Sequence, residues 1–472
     1  MTTTKVIHWF RQDLRLADNP ALAAAASYGT VLPVYILDDE NAAEFALGAA
    51  SRAWLQRSLA ALNDSLAQNL AVYRGNPITI LQNLCHRLQI RDIFWNRCYE
   101  PWRINRDTQL KQQLAQLGIT VHSYNGSLLW EPWEICKTDG EPYKVFTPFY
   151  RNGCLKAKPP RYPLPFPKLN LFRDSSSATI DSLALRPKIN WDTPMLSNWQ
   201  IGEAAAIKQL EKFLATGINN YHHGRDFPAQ QNTSRLAPHL HFGEISPNQL
   251  WYALRNSGDS NNNIETFCKE LGWREFSYSL LYYHPDLAYN NLEHKFANFP
   301  WQDDQNKLRA WQQGLTGIPI IDAGMRELWQ TGFMHNRVRM IVASFLVKNL
   351  LLHWRDGARW FWECLIDADL ASNSASWQWV AGCGADAAPY FRIFNPVTQS
   401  QKFDPNGDYI RQYVPELAKL PTKFLFEPWN APIAVLAEAG VSLGINYPQP
   451  IVDLKTSRIA ALAAYHSMKM SD

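Results

Sequence analysis

The feature that most limits how this chain can fold is the alternation of short apolar runs with helical patterns over residues 5–126. Five runs read as strands: residues 5–10, 31–37, 70–74, 92–96 and 119–124. Between them Leu55, Leu59, Leu62 and Leu66 recur at steps of four, three and four, along one helix face. Leu81, Leu84 and Leu88 repeat the pattern, as do Leu110, Leu114 and Leu117, with Gly118 placed as a helix stop. Strand, helix, strand repeated in this way predicts a doubly wound parallel sheet, with ligands received beyond the carboxyl ends of its strands. No Gly-x-Gly-x-x-Gly follows the first strand, where residues 11–20 read Arg-Gln-Asp-Leu-Arg-Leu-Ala-Asp-Asn-Pro. The sheet is therefore not a standard dinucleotide site.

Beyond the sheet the pattern changes. Residues 158–168 are proline-rich, and Asp174-Ser-Ser-Ser177 adds a stretch expected to be flexible. From about 200 the strand signals fade and helical patterns continue, over 204–214, 321–329, 335–352 and 457–470. The reading is an α/β domain over 1–130, a long linker over 131–199 wrapping the surface, and an all-helical domain over 200–472. No apolar run reaches a membrane span, and the start lacks the plan of a signal peptide, so the expected location is cytoplasmic. Seven scattered cysteines show no CxxC spacing, so neither zinc nor a disulfide framework is expected. A net charge of +3 does not by itself argue for nucleic acid. The anomaly is aromatic: 19 Trp, 19 Tyr and 22 Phe fit either bulky packing or stacking and redox-active indoles, and composition does not choose.

Four constellations in the helical part carry chemistry. Thr233 and Ser234 precede an expected helix and could cap it or present backbone N–H groups to a phosphate, with Arg235 beside them. Glu270, Trp273, Arg274 and Ser277 share a helix face through steps of three and four. A carboxylate beside an indole suits a heteroaromatic ligand with amide edges, although Glu270 and Arg274 alone read as a surface ion pair. Asn336, Arg337 and Met340 place an arginine beside apolar groups, as for phosphate positioning next to a pocket. Residues 366–379, Ile-Asp-Ala-Asp-Leu-Ala-Ser-Asn-Ser-Ala-Ser-Trp-Gln-Trp, hold two acids, an amide and two indoles. Asp367, Asp369 and Asn373 lack the glycine and distal glutamate of a calcium loop, and no metal is expected.

Together these residues resemble the DNA photolyase/cryptochrome family, end to end, in the manner of a class I cyclobutane pyrimidine dimer photolyase. The motifs are Trp9-Phe-Arg-Gln-Asp-Leu-Arg15, Tyr143-Lys-Val-Phe-Thr-Pro-Phe149, Gly224-Arg-Asp-Phe-Pro228, Trp273-Arg-Glu-Phe276, Met334-His-Asn-Arg-Val-Arg-Met-Ile341, Asp367-Ala-Asp-Leu370, Trp377-Gln-Trp379 and Phe391-Arg-Ile-Phe-Asn-Pro396.

The resemblance implies FAD in the helical domain. Tyr221, Thr233, Ser234, Arg235, Leu236 and Ala237 match its pyrophosphate and ribitol grip, though Ala237 stands where many members have Ser. Phe267, Arg274, Asn336, Asp367, Ala368 and Asp369 match further cofactor contacts. Asn373 matches the residue opposite flavin N5, where plant cryptochromes carry Asp and an amide favours reduced flavin. Trp301, Trp354 and Trp377 match an electron-carrying chain of indoles. Glu270, Trp273, Asn336, Met340 and Trp379 match the lining of a pocket for a flipped dimer, with Arg274 and Ser277 beside it. Arg225, Arg337 and Lys402 match phosphate contacts. Glu270, Asn336, Met340 and Asn373 are the implied catalytic residues. Pocket histidines that serve (6-4) photoproduct repair are replaced by Asn336 and Met340, and His335 lies one position away. The implied activity is light-driven repair of cyclobutane dimers in UV-damaged DNA, by a monomer. A (6-4) photolyase and a signalling cryptochrome are the alternatives; an expected absence of any C-terminal extension counts against the latter. A second, antenna chromophore is implied near Arg11, residues 37–39 and residues 95–106. Arg103 and Cys98 do not match the folate or deazaflavin patterns, so folate, deazaflavin, a second flavin or none remain open.

Overall fold

A computed structural model describes residues 4–256, 261–387, 389–390 and 392–470. Phe391 of the Phe391–Pro396 motif lies outside the described residues. The chain divides into two compact units that do not follow chain order. One holds residues 1–219, 234–285 and 366–371; the other holds 220–233, 286–365 and 372–472.

The first unit is built on a parallel sheet of β1 (Lys5–Phe10), β2 (Thr30–Leu37), β3 (Ala71–Arg74), β4 (Asp92–Asn96) and β5 (Thr120–Tyr124). Its strand order is β3-β2-β1-β4-β5. All eight residues of β2 are buried, as a sheet covered on both faces requires. Alternate side chains supply two cores. Val6, Phe10, Val31, Tyr35 and Phe94 enter one, while Ile7, Trp9, Leu32, Val34 and Trp95 enter the other. Helices α1 (Pro20–Tyr28), α2 (Ala49–Ser65), α3 (Pro77–Leu88) and α4 (Pro101–Gln116) complete these layers. Asn19 and Asn76 cap α1 and α3, each followed by proline at the first helical position.

Two later helices belong to the same unit, α5 (Glu203–Ala215) and α6 (Asn262–Tyr283). Buried Glu275 of α6 accepts from the backbone N–H groups of Leu129 and Trp130, and burial pushes its carboxyl up to about 7. The Asp174–Ser177 stretch is not the flexible segment expected. Asp174 is buried, accepts from Tyr73 and Arg87, and the Arg87 and Tyr73 hydrogen bonds hold its carboxyl far below the usual range against burial. The linker also bonds the sheet, with Phe172 N–H donating to Val31 carbonyl.

The second unit contains α7 (Pro319–Thr331), α8 (Asn336–Ser344), α9 (Trp354–Cys364), most of α10 (Leu370–Ala381) and α11 (Leu454–Met470). The helix expected over 335–352 is shorter, because a π turn over Phe345–Asn349 interrupts it. Asn349 of that turn donates to Ser457 of α11 at 2.9 Å. Buried Asp322 of α7 accepts from the N–H groups of Thr316 and Gly317 and from the hydroxyls of Thr316 and Tyr447.

Candidate functional site

In the first unit α6 carries Phe267, Glu270, Trp273, Arg274 and Ser277. Phe267 is buried, whereas Glu270, Trp273 and Arg274 are part-exposed. Trp273 stacks on Phe146, with centroids 3.8 Å apart and planes 9° apart. Arg274 donates to the Ser127 carbonyl at 2.8 Å and lies beside Glu275. Ser277 is buried, and its hydroxyl donates to the Trp273 carbonyl on its own helix.

Sequence reading missed Tyr278 and His241. Tyr278 lies under the Arg274 guanidinium, 5.0 Å from ring centroid to carbon, and donates to Asp369 at 2.5 Å. His241 Nδ1 stands 3.8 Å from the same carboxylate. Asp369 is thus a held acceptor with a fixed rotamer, next to buried Asp367 and Ala368. The i,i+4 spacing of Arg274 and Tyr278 was the available signal.

The expected cap by Thr233 and Ser234 is not formed. The helix there begins at Ala237, its N-cap is Leu236, and no side chain bonds to it. The reason is Arg235, whose φ of 54° turns the chain into the left-handed region between Ser234 and the helix. Ser234 hydroxyl instead accepts from Leu236 N–H at 3.3 Å, and Arg235 lies over the Trp199 ring.

The second unit holds Tyr221, Arg225, Thr233, Trp301, Asn336, Arg337, Met340, Trp354, Asn373, Trp377, Trp379 and Lys402. His335 caps α8, its Nδ1 accepting from Arg337 N–H, and its backbone N–H donates to Glu327. Burial, with Arg337, Arg339 and Arg225 nearby, lowers His335 to about 4, so it is neutral at pH 7. The cap presents Asn336, exposed, with Arg337 and Met340, part-exposed, on the first turns of α8.

The indoles form a graded series. Trp301 is part-exposed, while Trp354 and Trp377 are buried. His353 lies between the first two, 5.1 Å from Trp301 and 5.6 Å from Trp354 by ring centroids. Its Nδ1 accepts from Arg355 N–H, and burial lowers it to about 4. One turn beyond Trp354 on α9, the Gly357 backbone lies against the Trp377 indole so closely that a methyl group would overlap it. On the same helix the Ala358 carbonyl accepts from Asn373 Nδ2 at 3.0 Å, which fixes the amide's orientation. Trp379, two residues on from Trp377, is part-exposed.

Where the second chromophore was expected, at the carboxyl ends of the strands, arginines are already held by acids and indoles. Arg11 follows β1 and bonds Asp107 and the Asn96 carbonyl, under Trp9 and Trp95. Arg106 pairs with Asp38 and Asp107, and its guanidinium lies 4.8 Å from the Trp9 centroid. Arg103 pairs with Glu100 and lies over Trp102. The cavity left among them is about 50 Å³. That is room for ordered water, far below the several hundred cubic ångströms of a cofactor site.

Residues 267–467 match the family model described as the FAD binding domain of DNA photolyase, and residues 6–168 match that described as DNA photolyase. The chain is 46% identical over 485 residues to a deoxyribodipyrimidine photo-lyase of Agrobacterium fabrum, covering 99% of each. This chain belongs to the DNA photolyase/cryptochrome family. Cryptochrome-2 of Arabidopsis thaliana is 39% identical over 475 residues, covering 96% of this chain and 77% of the relative. The crystal structure of a bacterial class III photolyase from Agrobacterium tumefaciens superposes with a TM-score of 0.95 at 46% identity, covering 100% of this chain and 98% of that one. The expected family, its fold, the FAD-binding domain and the photolyase type of enzyme are borne out. The class I subtype read from the motifs is not carried further, since this solved relative is named class III. Among the described residues no cluster of His, Cys, Asp and Glu is arranged to hold a metal ion, and no helix is long and apolar enough to cross a membrane.

Proposed function

We propose that this chain repairs cyclobutane pyrimidine dimers in UV-damaged DNA, driven by near-ultraviolet or blue light, with FAD as cofactor. The observation that carries the light-driven, flavin-dependent part of the reading is the graded series Trp301, His353, Trp354, Trp377. Indole is large, oxidisable and tolerant of burial. A neutral imidazole between two indoles adds no charge to oppose a passing electron hole, and His353, lowered to about 4, is neutral across the working range. The residues that the family resemblance assigns to FAD would supply its contacts: acids Asp367 and Asp369, amide Asn373, and Tyr221, Thr233, Ser234, Arg235, Leu236, Ala237, Phe267 and Arg274. Reduced FAD, when bound and excited, supplies one electron that opens the dimer's cyclobutane ring and is returned, so the net redox change is zero.

The residues of this chain do the rest. Trp273 and Trp379 stack on the flipped dimer, and damaged bases cost least to flip. Glu270 bonds the pyrimidine amide edge. Asn336 and Met340 contact the lesion, and Arg274 and Ser277 belong to the same substrate-binding set. Asn373, its amide oriented by the Ala358 carbonyl, would leave its side-chain oxygen free to accept from the flavin. Arg225, Arg337 and Lys402 meet phosphates, which makes affinity salt-dependent. His335 spends its Nδ1 on the helix cap and stays neutral, which supports cyclobutane over (6-4) repair. All seven cysteines are free, which suits a cytoplasmic setting, and the named residue sets need no second subunit. No antenna step is assigned to the arginine-filled crevice.

Oligonucleotides each carrying one lesion test the reading. Blue light should reverse the cyclobutane dimer and leave the (6-4) product intact. Reversal of the (6-4) lesion would contradict the lesion assignment, and a light-responsive flavin without any repair would favour a cryptochrome-type photoreceptor.

A further inference from the structure

The motif Gly224–Pro228 carries an acid that the functional reading does not use. Asp226 Oδ1 accepts from Arg337 Nη2 at 2.7 Å. The loop is positioned for this: Phe227 and the Arg337 guanidinium both lie on Phe403, at 6.2 and 4.3 Å from its centroid. Arg337 Nη1 also reaches Met340 Sδ at 3.9 Å, while its Nε has no partner. Arg225, Arg337 and Arg339 all bear on the charge of His335, together with Asp226. This is not a buried structural pair. The side chains of Arg106 and Asp38 are 2% and 4% exposed, whereas those of Arg337 and Asp226 are 19% and 36% exposed. A polyanion can reach them.

We propose that Asp226 competes for the position on Arg337 that a DNA phosphate would take, and so limits the chain's grip on undamaged DNA. The inference rests on the reading that Arg337 faces the DNA backbone. A carboxylate oxygen and a phosphate oxygen make the same charge-assisted bond to a guanidinium. Binding DNA then exchanges one anion for another, and little is gained at that contact. Backbone phosphates supply most non-specific affinity, so a competitor there bears first on undamaged duplex.

The test is the affinity of the flavin-loaded protein for an undamaged duplex, measured by fluorescence anisotropy across a salt series. Asp226→Asn should bind about two- to fivefold tighter, the factor a part-exposed ion pair represents. Its plot of log affinity against log salt should steepen by about 0.9, the slope of one added phosphate contact. Asp226→Glu should restore wild-type behaviour. Unchanged affinity and slope in Asp226→Asn, or weaker binding, would overturn the proposal and leave the acid a holder of Arg337. Arg337→Gln separates the two claims. If it weakens binding and flattens the slope, Arg337 does meet phosphate; if it changes neither, the DNA-facing reading fails instead. Asp226→Ser repeats the measurement should the Asn variant lose flavin.

Discussion

His353 shows how one side chain decides whether neighbouring groups can work together. Its Nδ1 caps α9 and its ring bridges Trp301 and Trp354, so the cap that starts the helix also sets the spacing of two indoles. Trp301 is the member nearest solvent, and it should be where electrons enter. Trp301→Phe should cut photoreduction of oxidised flavin by an external reductant to a small fraction of the wild-type rate. Repair by protein reduced chemically beforehand should be unaffected, because that route bypasses the relay. Transient absorption and a repair assay on the same sample check both halves. The indoles were legible as residues, since their spacing matched a family pattern. His353 was not, because a histidine before a tryptophan carries no signal until the cap places its ring.

Helix α9 is the element on which the proposed relay depends. It begins at Trp354, passes Gly357 against Trp377, and offers the Ala358 carbonyl to Asn373. A methyl group at position 357 would overlap the Trp377 indole. Gly357→Ala should therefore lower unfolding free energy by about 1–3 kcal/mol, the usual cost of overpacking. It should also slow photoreduction, because Trp377 must move. Denaturant titration and flavin bleaching kinetics measure the two effects. At this scale the sequence was informative where periodicity is strong. The strands lie within a residue or so of their expected positions, since parallel strands buried on both faces read as continuous apolar runs. It was uninformative where one backbone angle decides. Nothing in Thr233-Ser-Arg235 signals the left-handed Arg235 that moves the helix start to Ala237. Nor does the apolar stripe over 335–352 reveal the π turn at Phe345–Asn349.

Over the whole molecule, buried titratable groups oppose one another. Burial raises Glu275 to about 7 and Asp322 and Asp404 to about 6. Each keeps a proton in the folded state that the unfolded chain has released, so its contribution is full below the unfolded pKa and declines as pH rises. Burial lowers His8, His335 and His353 to about 4. Each stays neutral where the unfolded chain would be protonated, so its contribution grows with pH up to about 6.5. The two sets offset each other, and stability should vary little between about pH 5 and 6.5. Glu275→Gln removes one falling component, and its unfolding free energy should rise more steeply than wild type by about 1.4 kcal/mol per pH unit in that window. Urea unfolding at several pH values checks this. The linker illustrates why composition alone misleads at this scale. Asp174-Ser-Ser-Ser177 has the make-up of a flexible tether, yet Arg87 and Tyr73, a hundred residues earlier, bind its acid. Likewise the carboxyl end of the sheet holds Arg11 and Arg106, whose partners Asp107 and Asp38 lie far off in the sequence.

The central claim is light-driven dimer repair, and one measurement meets it most directly. Flavin-reduced protein is mixed with an oligonucleotide holding a single cyclobutane thymine dimer, and thymine absorbance is followed under blue light and in darkness. Absorbance should recover in the light alone. Absorbance that stays flat under light, with the flavin bound and reduced, would contradict it.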